Sequence, residues 1–533
     1  MQSITLDNFR VFSSPQTFSL TPLTVLTGRN NSGKSSLIKA FLVLADFLEQ
    51  SDQTALRLDG PRASKHRITS FEELLNREVS LLGRQDLRLG YSKGQYEFTY
   101  EFEASPLVHA HSAALTRFCM LNQATGAELL LIREEEHYRL EVPQDFINCV
   151  TDTEREDMYY NALNAVEDGI TEQEYLINQV NALDATEEDE QLLEHLSIPD
   201  VSYDRTDESR GAKRREDDTI RSTVHQHELQ NDAPSLWRLI QYGLIKYIGG
   251  NNERRQQQYR FGLGGEHKVL VEFIQRVNIL MGFRPDHLGP NRTHQERLIR
   301  AGSSTGEIAR IAEDFVRYRV ASGVTASAFL NKWLERFEIG HAMVVEQLEG
   351  TTYRIQVYRD GQHVNLADMG FGAGQLLSIL LLIAINIQRR ELEGNQVVSF
   401  QHNVKLLIEE PEANLHPRLQ SMLAEMFLEA ACTHWVALLI ETHSEYMIRK
   451  LQFLVAAGQY EPGYVILHYV DRVKQPHHTL AGDAQTTSYE MECRMINIES
   501  DGTLSAAFGS GFFDEAGDVI MAMNDLQRKQ IAL

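Results

Sequence analysis

An α/β fold with an antiparallel β lobe and an inserted helical region is what this sequence predicts, from three observations. A glycine-rich loop lies between an apolar, β-branched run, Leu23 to Thr27, and an apolar stretch at helical spacing, Leu37 to Leu48. Two later apolar runs, Val404 to Ile408 and Trp435 to Ile440, end in polar residues, as parallel strands of an open sheet do at their carboxyl ends. Between the loop and those runs the chain passes through alternating strand patterns and then a long acidic stretch.

The loop is Gly28-Arg29-Asn30-Asn31-Ser32-Gly33-Lys34-Ser35, followed by Ser36, a full match to G-x-x-x-x-G-K-[ST]. Gly28 and Gly33 permit tight turns, so that the N–H groups of Asn30, Asn31, Ser32 and the helix start point at phosphate oxygens. Lys34 would reach the β and γ phosphates as a point charge, and the Ser35 hydroxyl would ligate Mg²⁺. Strand before, loop, helix after: this context predicts a nucleotide site with Mg²⁺.

Around the loop the elements follow in order. Ile4, Leu6 and Phe9, then Phe18 and Leu20, read as two antiparallel strands. Past the loop helix come a short helical segment at Phe71 to Leu75 and a strand from Tyr96 to Phe102, with aromatic residues at alternate positions. A hairpin of Leu129 to Ile132 with Tyr138 to Val142 completes a β-rich lobe. From Thr151 to Glu208 acids outnumber bases severalfold, while Leu163, Ile170, Leu176, Ile177, Val180 and Leu183 keep a broken helical spacing. This reads as a helical insertion with a linker from Pro199 to Asp218; Lys213-Arg214-Arg215 within it is a solvated patch. Helices are predicted within Pro234 to Gly282, at Ile308 to Tyr318 and at Ala326 to Phe337, and strands at Met343 to Leu348 and Tyr353 to Tyr358. The glycine run Phe261 to Gly265 lacks a lysine and is no second phosphate loop.

Composition narrows the class. At 533 residues, with 42% hydrophobic and 24% charged residues, the chain is near globular averages and can bury a large core. No apolar run of about 18 residues marks a bilayer span, and the longest block, Leu376 to Ile387, reads as a buried helix. The N-terminus, with Asp7, Asn8 and Arg10, lacks a secretion pattern, so a cytoplasmic location is expected. A net charge of -24 opposes indiscriminate nucleic-acid binding. Cys119, Cys149, Cys432 and Cys493 have no C-x-x-C spacing and read as buried thiols.

The late chain supplies what a phosphate loop needs. Glu409 and Glu410 follow the strand at Val404, so both acids emerge at the carboxyl end of the sheet. Glu409 is placed to hold Mg²⁺, and Glu410 to accept a proton from the attacking water. Glu441-Thr442-His443-Ser444 ends the other strand, and His443 can bond the γ-phosphate or that water. Between the loop and these strands, Asp368 to Gln375 form a glycine-rich turn opening the apolar helix from Leu376, an anion site made of backbone N–H groups. One chain already has a loop for its own phosphates. The second anion site therefore reads as a cap on the nucleotide of a second subunit.

These residues, with Asn8-Phe9-Arg10 and the run from Ile408-Glu409-Glu410-Pro411-Glu412 to Asn414-Leu415-His416-Pro417, resemble the ABC-type ATPases of the SMC, RecF and OLD superfamily. The resemblance covers about residues 1 to 50 and 365 to 450, and is nearest to compact bacterial ATPases of anti-phage defence, Septu-like or retron-associated. It implies an ABC-type P-loop ATPase head with catalytic Glu410 and switch residue His443. It places Gly372, Ala373, Gly374 and Gln375 as a signature turn acting across a homodimer or higher homo-oligomer, and a separately encoded effector, such as a nuclease, as partner. Relatives usually carry a serine in that turn and an Asp where Glu409 stands, which implies slow hydrolysis and a longer reach to Mg²⁺. The glutamine that completes the metal shell in relatives has Gln95 and Gln123 as candidates. His287 to Arg292 is similar to a strand-turn of the same ATPases, and Asp501-Gly502 with Gly511 to Glu515 to their short C-terminal domain. OLD proteins append a Toprim nuclease, which the residues after His443 do not match; His477-His478 reads as an exposed loop.

The expected organisation is a first half-head at 1–150, an acidic insertion and linker at 151–233, a continuation of the head at 234–365, its signature and acidic half at 366–450, and a tail domain at 451–533. The function this implies is an ATP-dependent switch on a partner protein. Two alternatives remain open: a DNA-binding or DNA-repair ATPase with Arg254, Arg255, Arg260, Arg389 and Arg390 lining a groove, and a nucleotide-binding scaffold with little turnover.

Overall fold

The computed structural model describes residues 1–66, 68–104, 112–135, 137–147, 149–150, 219–225, 235–249, 268–290, 297–300, 307–348, 352–393, 404–475, 488–509, 513 and 521–523. Several expectations fall on other residues: the acidic insertion and Lys213 to Arg215, the glycine run at 261–265, Arg254, Arg255, Arg260, Asn291, Arg292, His477-His478, and 511–512 with 514–515. These lie outside the described residues.

A six-stranded sheet holds the loop. Its order is Asp286–Leu288, Leu406–Glu409, Leu438–Glu441, Leu23–Gly28, Val465–Gln475, Ser488–Asn497, and the first five strands run parallel. The last is antiparallel to its neighbour. The three central apolar strands, LTVLTG, LLIE and LLIE, are buried at every position, because a parallel sheet is covered on both faces. Alternation then divides their side chains between two cores. Leu407 and Leu439 pack with the loop helix Lys34–Glu49, whereas Leu406, Ile408, Leu438 and Ile440 pack with the helix Phe371–Glu393. Glu409 and Glu441, two residues on from Leu407 and Leu439, therefore face the loop helix.

The β lobe is a nine-stranded antiparallel sheet running from Thr219–His225 through His137–Pro143, Glu128–Glu134, Ser112–Asn122, Tyr96–Ala104, Asp86–Lys93 and Ser3–Asp7 to Gln16–Ser19, with Ala55–Arg57 beside Ser112–Asn122. Period-2 alternation buries Tyr96, Phe98, Tyr100 and Phe102 on one face. That face grips the loop helix: Phe47 meets Phe102 and Tyr100 edge-on, with ring centroids 5.0 and 5.6 Å apart. Each such pair contributes roughly 0.5–1.5 kcal/mol beyond area burial. A smaller sheet, Ala342–Leu348, Thr352–Arg359 and Gln362–Asn365 with Ile299–Arg300, turns at Asp360-Gly361, both at positive φ as a two-residue hairpin requires.

The structure departs from three expectations. Thr219–His225, placed in the insertion and linker, is a strand closing the lobe against His137–Pro143, because Ile220 and Val224 alternate toward the core. The tail is no separate unit at its start: Val465–Gln475 pairs with Leu23–Gly28, so the head's sheet extends into it. The glycine turn before Gln375 is already helix, which begins at Phe371. Of the described residues, Gly372–Leu392 is long and apolar enough to cross a membrane, but 83% of its most apolar window is buried inside the fold, as read for Leu376 to Ile387.

Candidate nucleotide site

Sequence forces the loop's shape. Gly28 has φ 142° and Gly33 φ 94°, values that L side chains rarely adopt, and a Cβ on Gly28 would stand 2.0 Å from the Val470 carbonyl oxygen of the next strand. Asn31 sits in the left-handed region at φ 60°, which Asn tolerates. Arg29, Asn30, Asn31 and Ser35 are exposed, while Ser32 and Lys34 are buried. The Lys34 ammonium, 4% exposed, donates to the carbonyls of Gly28 at 3.0 Å and Arg29 at 2.7 Å. Burial lowers its pKa against the pull of Glu441. Ser32 Oγ is buried without a hydrogen-bond partner among the described residues. An orphaned hydroxyl and an ammonium on weak carbonyl partners are groups that a phosphate would satisfy, so the residues fit the β and γ phosphates of ATP. Ser36 does not share this role as placed: it is buried and its N–H goes to Gly33 O at 2.8 Å.

The acids are distributed differently from the sequence reading. The carboxylate on Ser35 belongs to Glu441, whose Oε2 and Oε1 accept from Ser35 Oγ at 3.2 and 3.4 Å, and Lys34 Nζ is 4.0 Å from it. Glu409, assigned to the metal, instead meets His287 Nε2 at 2.7 Å. The cause is position in the sheet. Glu409 and Glu441 are in register, but the strand ending in Glu441 is the one paired with Leu23–Gly28 and lies nearer the loop. Burial, then the neighbouring Glu409 charge, pushes the Glu441 carboxyl up to about 7 despite Lys34. Two oxygens of different residues at Ser35 and Glu441 suit a hard cation, so Mg²⁺ fits there. The signal was in the chain: Leu406-Leu407-Ile408-Glu409 and Leu438-Leu439-Ile440-Glu441 are the same tetrapeptide.

Hydrogen bonds lace the motifs together. Glu410 N donates to Glu441 O, Thr442 N to Leu26 O, and Thr27 Oγ1 to Thr442 O. Glu410 has φ 43°, a strained conformation for a non-glycine residue at the mouth of the sheet. His443 is held by its N–H to Glu412 Oε1 at 2.6 Å, and burial with the nearby Lys34 charge lowers its pKa to about 4. It is therefore a neutral imidazole at pH 7, able to accept or donate at one nitrogen each. Ser444 caps the following helix Glu445–Ala456 by accepting from Met447 N, and its hydroxyl donates to Gln420 Oε1.

The remaining candidates lie elsewhere. Gly372 and Ala373 line a concavity of about 440 Å³ with Asn414, Leu415 and Asp360, whose lining contains no residue of the loop. Gly374 and Gln375 are placed in the same helix, where Gln375, 1% exposed, has both amide atoms unpartnered among the described residues. Gln95 bonds Tyr96 and Gln123 bonds Glu97, at one end of the lobe. Arg389 is paired with Asp286 and Asp314, and Arg390 lies over the Trp435 ring.

The model of the AAA ATPase domain family matches residues 1–258 and 293–448. The chain belongs to that family. Its fold is an α/β P-loop ATPase head with an antiparallel β lobe. Among solved structures, the SMC head domain from Thermotoga maritima is 12% identical, with TM-score 0.31, over 89% of this chain and 95% of that one. An Smc head domain with an extended coiled coil, bound to the C-terminal domain of ScpA and derived from Pyrococcus furiosus, is 10% identical, with TM-score 0.33, over 98% and 99%. No curated protein sequence matches.

Proposed function

We propose that this AAA ATPase domain protein binds and hydrolyses Mg²⁺–ATP in a site shared between two copies of the chain, and that the nucleotide state switches a separately encoded effector, in the setting of bacterial anti-phage defence. The observation that carries the reading is the convergence at the loop: Lys34, Ser35, Glu441, Glu410 and His443 come from three strand ends, two of them more than three hundred residues from the loop, and are tied to one another by the bonds above. Lys34 and the loop N–H groups would hold the phosphates; Ser35 and Glu441 would hold Mg²⁺, with Glu409 one strand further out. Bound Mg²⁺ would neutralise charge on the β and γ phosphates. Glu410 would take the proton of the attacking water, and neutral His443 would hold that water or the γ-phosphate. The separate place of Gly372 and Ala373 supports a trans role, since they line a concavity apart from the loop. The defence setting and the effector rest on the motif resemblance.

The test is nucleotide-dependent assembly. Lys34→Ala should lose ATP affinity, and retention of it would end the reading. Glu410→Gln with ATP should shift to a dimer or larger species on size-exclusion chromatography with light scattering. A variant that binds ATP and stays monomeric would remove the shared site.

A further inference from the structure

We propose that His66, His287 and Glu409 form a binding site for a divalent transition metal of the Zn²⁺ class, distinct from the Mg²⁺ place at Ser35. It goes beyond the ATP switch and does not depend on hydrolysis. The three residues come from separate elements. His66 follows the short helix Pro61–Lys65, which packs on the loop helix; His287 is the middle of the edge strand Asp286–Leu288; Glu409 ends the adjacent strand. One ligand atom from each lies within 4.8 Å of the others, with His287 and Glu409 buried and His66 half-buried.

The distances separate a metal cluster from a hydrogen-bonded relay. His66 Nε2 and His287 Nδ1 are 3.4 Å apart, long for a ring N–H donating to a ring nitrogen. Two nitrogens each about 2.0–2.1 Å from one tetrahedral ion stand at about that separation. Behind them, His287 Nε2 meets Glu409 Oε1 at 2.7 Å, the place a carboxylate takes to orient a metal-bound imidazole, and a Glu409 oxygen lies within 4.8 Å of a nitrogen of each histidine. Two imidazoles and one carboxylate select a borderline metal such as Zn²⁺ over Mg²⁺, which prefers oxygen ligands. Bound there, the ion would tie the segment after Lys65 to the sheet and fix Glu409 away from Ser35.

Co²⁺ serves as the probe. Tag-free, full-length protein stripped with chelator should develop a visible d–d band on Co²⁺ titration, saturating at one ion per chain, displaced by Zn²⁺ and not by excess Mg²⁺. His66→Ala and His287→Ala should each weaken Co²⁺ binding at least about tenfold, and His66→Ala should still bind a fluorescent ATP analogue, which shows that the fold persists. Lys34→Ala should lose the analogue and keep the Co²⁺ band, so failure of the nucleotide reading and failure of this one are separable. A wild type with no band, a His66→Ala protein with undiminished affinity, or loss of the band in a folded Lys34→Ala protein would each overturn the proposal.

Discussion

Glu409 and Glu441 end adjacent parallel strands in register and point to the same face, yet their carboxylates take different partners: His287 at 2.7 Å for the first, Ser35 at 3.2 Å for the second. The Mg²⁺ dependence of nucleotide binding should follow that division. Glu441→Gln should reduce the gain in ATP affinity that Mg²⁺ provides by at least about tenfold, while Mg²⁺-free binding holds or improves because a negative charge beside Lys34 is gone. Fluorescent-nucleotide titrations with and without Mg²⁺ measure both. A larger loss from Glu409→Gln would return the ion to that acid.

Glu410 couples chemistry to strain. Its φ of 43° costs a non-glycine residue roughly 1 kcal/mol. Glu410→Gln keeps that conformation and removes the proposed base, so ATP affinity should hold while single-turnover hydrolysis slows by at least about two orders of magnitude. Glu410→Gly should be equally slow but more stable by up to about 1 kcal/mol in urea, a gain obtained only by discarding the proposed base. Unaltered turnover in either variant would move the base elsewhere.

The nucleotide loop was legible because its chemistry is local: Gly28, Gly33, Lys34 and Ser35 are fixed by spacing, and strands and helix flank them as predicted. The β lobe was legible where alternation is strict, as from Tyr96 to Ala104, and the strand Thr219–His225 was lost because charge density around it masked two core positions, Ile220 and Val224. The acid beside Ser35 was not legible for a different reason. Which of two strand ends lies beside Ser35 depends on strand order, and a sequence does not display order; the repeated Leu-Leu-Ile-Glu marked both acids without ranking them. His66 and His287 are 221 residues apart in the chain, and no local pattern joins them.

Glu441 and His443 should give the fold opposing pH dependences. The Glu441 pKa is raised in the folded state, so its contribution is fully present below the unfolded value of 4.5 and is lost as pH rises through about 7, on the order of 3 kcal/mol. The His443 pKa is lowered, so its contribution is present above 6.5 and is lost as pH falls through about 4. Between about pH 4.5 and 6.5 the two slopes oppose each other. In nucleotide-free, metal-free buffer, Glu441→Gln should leave stability rising across that window, and His443→Gln should leave it falling. Urea denaturation at several pH values reads the slopes; slopes of equal sign in the two variants would show that other groups govern the acid response.

Gly28 offers a test of why the loop begins where it does. Val470 pairs with Gly28 in the parallel sheet, and the Val470 carbonyl oxygen would lie 2.0 Å from any Cβ placed there. A backbone atom held in a sheet cannot swing aside as a side chain can, so Gly28→Ala must displace the strand Val465–Gln475 or the loop itself. The cost should exceed about 3 kcal/mol, the upper range for single substitutions. Gly94→Ala separates this clash from conformational preference, because Gly94 has φ 59° and a Cβ added there would meet nothing within 4 Å, so the change should cost only about 1–2 kcal/mol. Equal losses for the two variants in chemical denaturation would mean that backbone conformation, not contact with Val470, makes Gly28 obligatory.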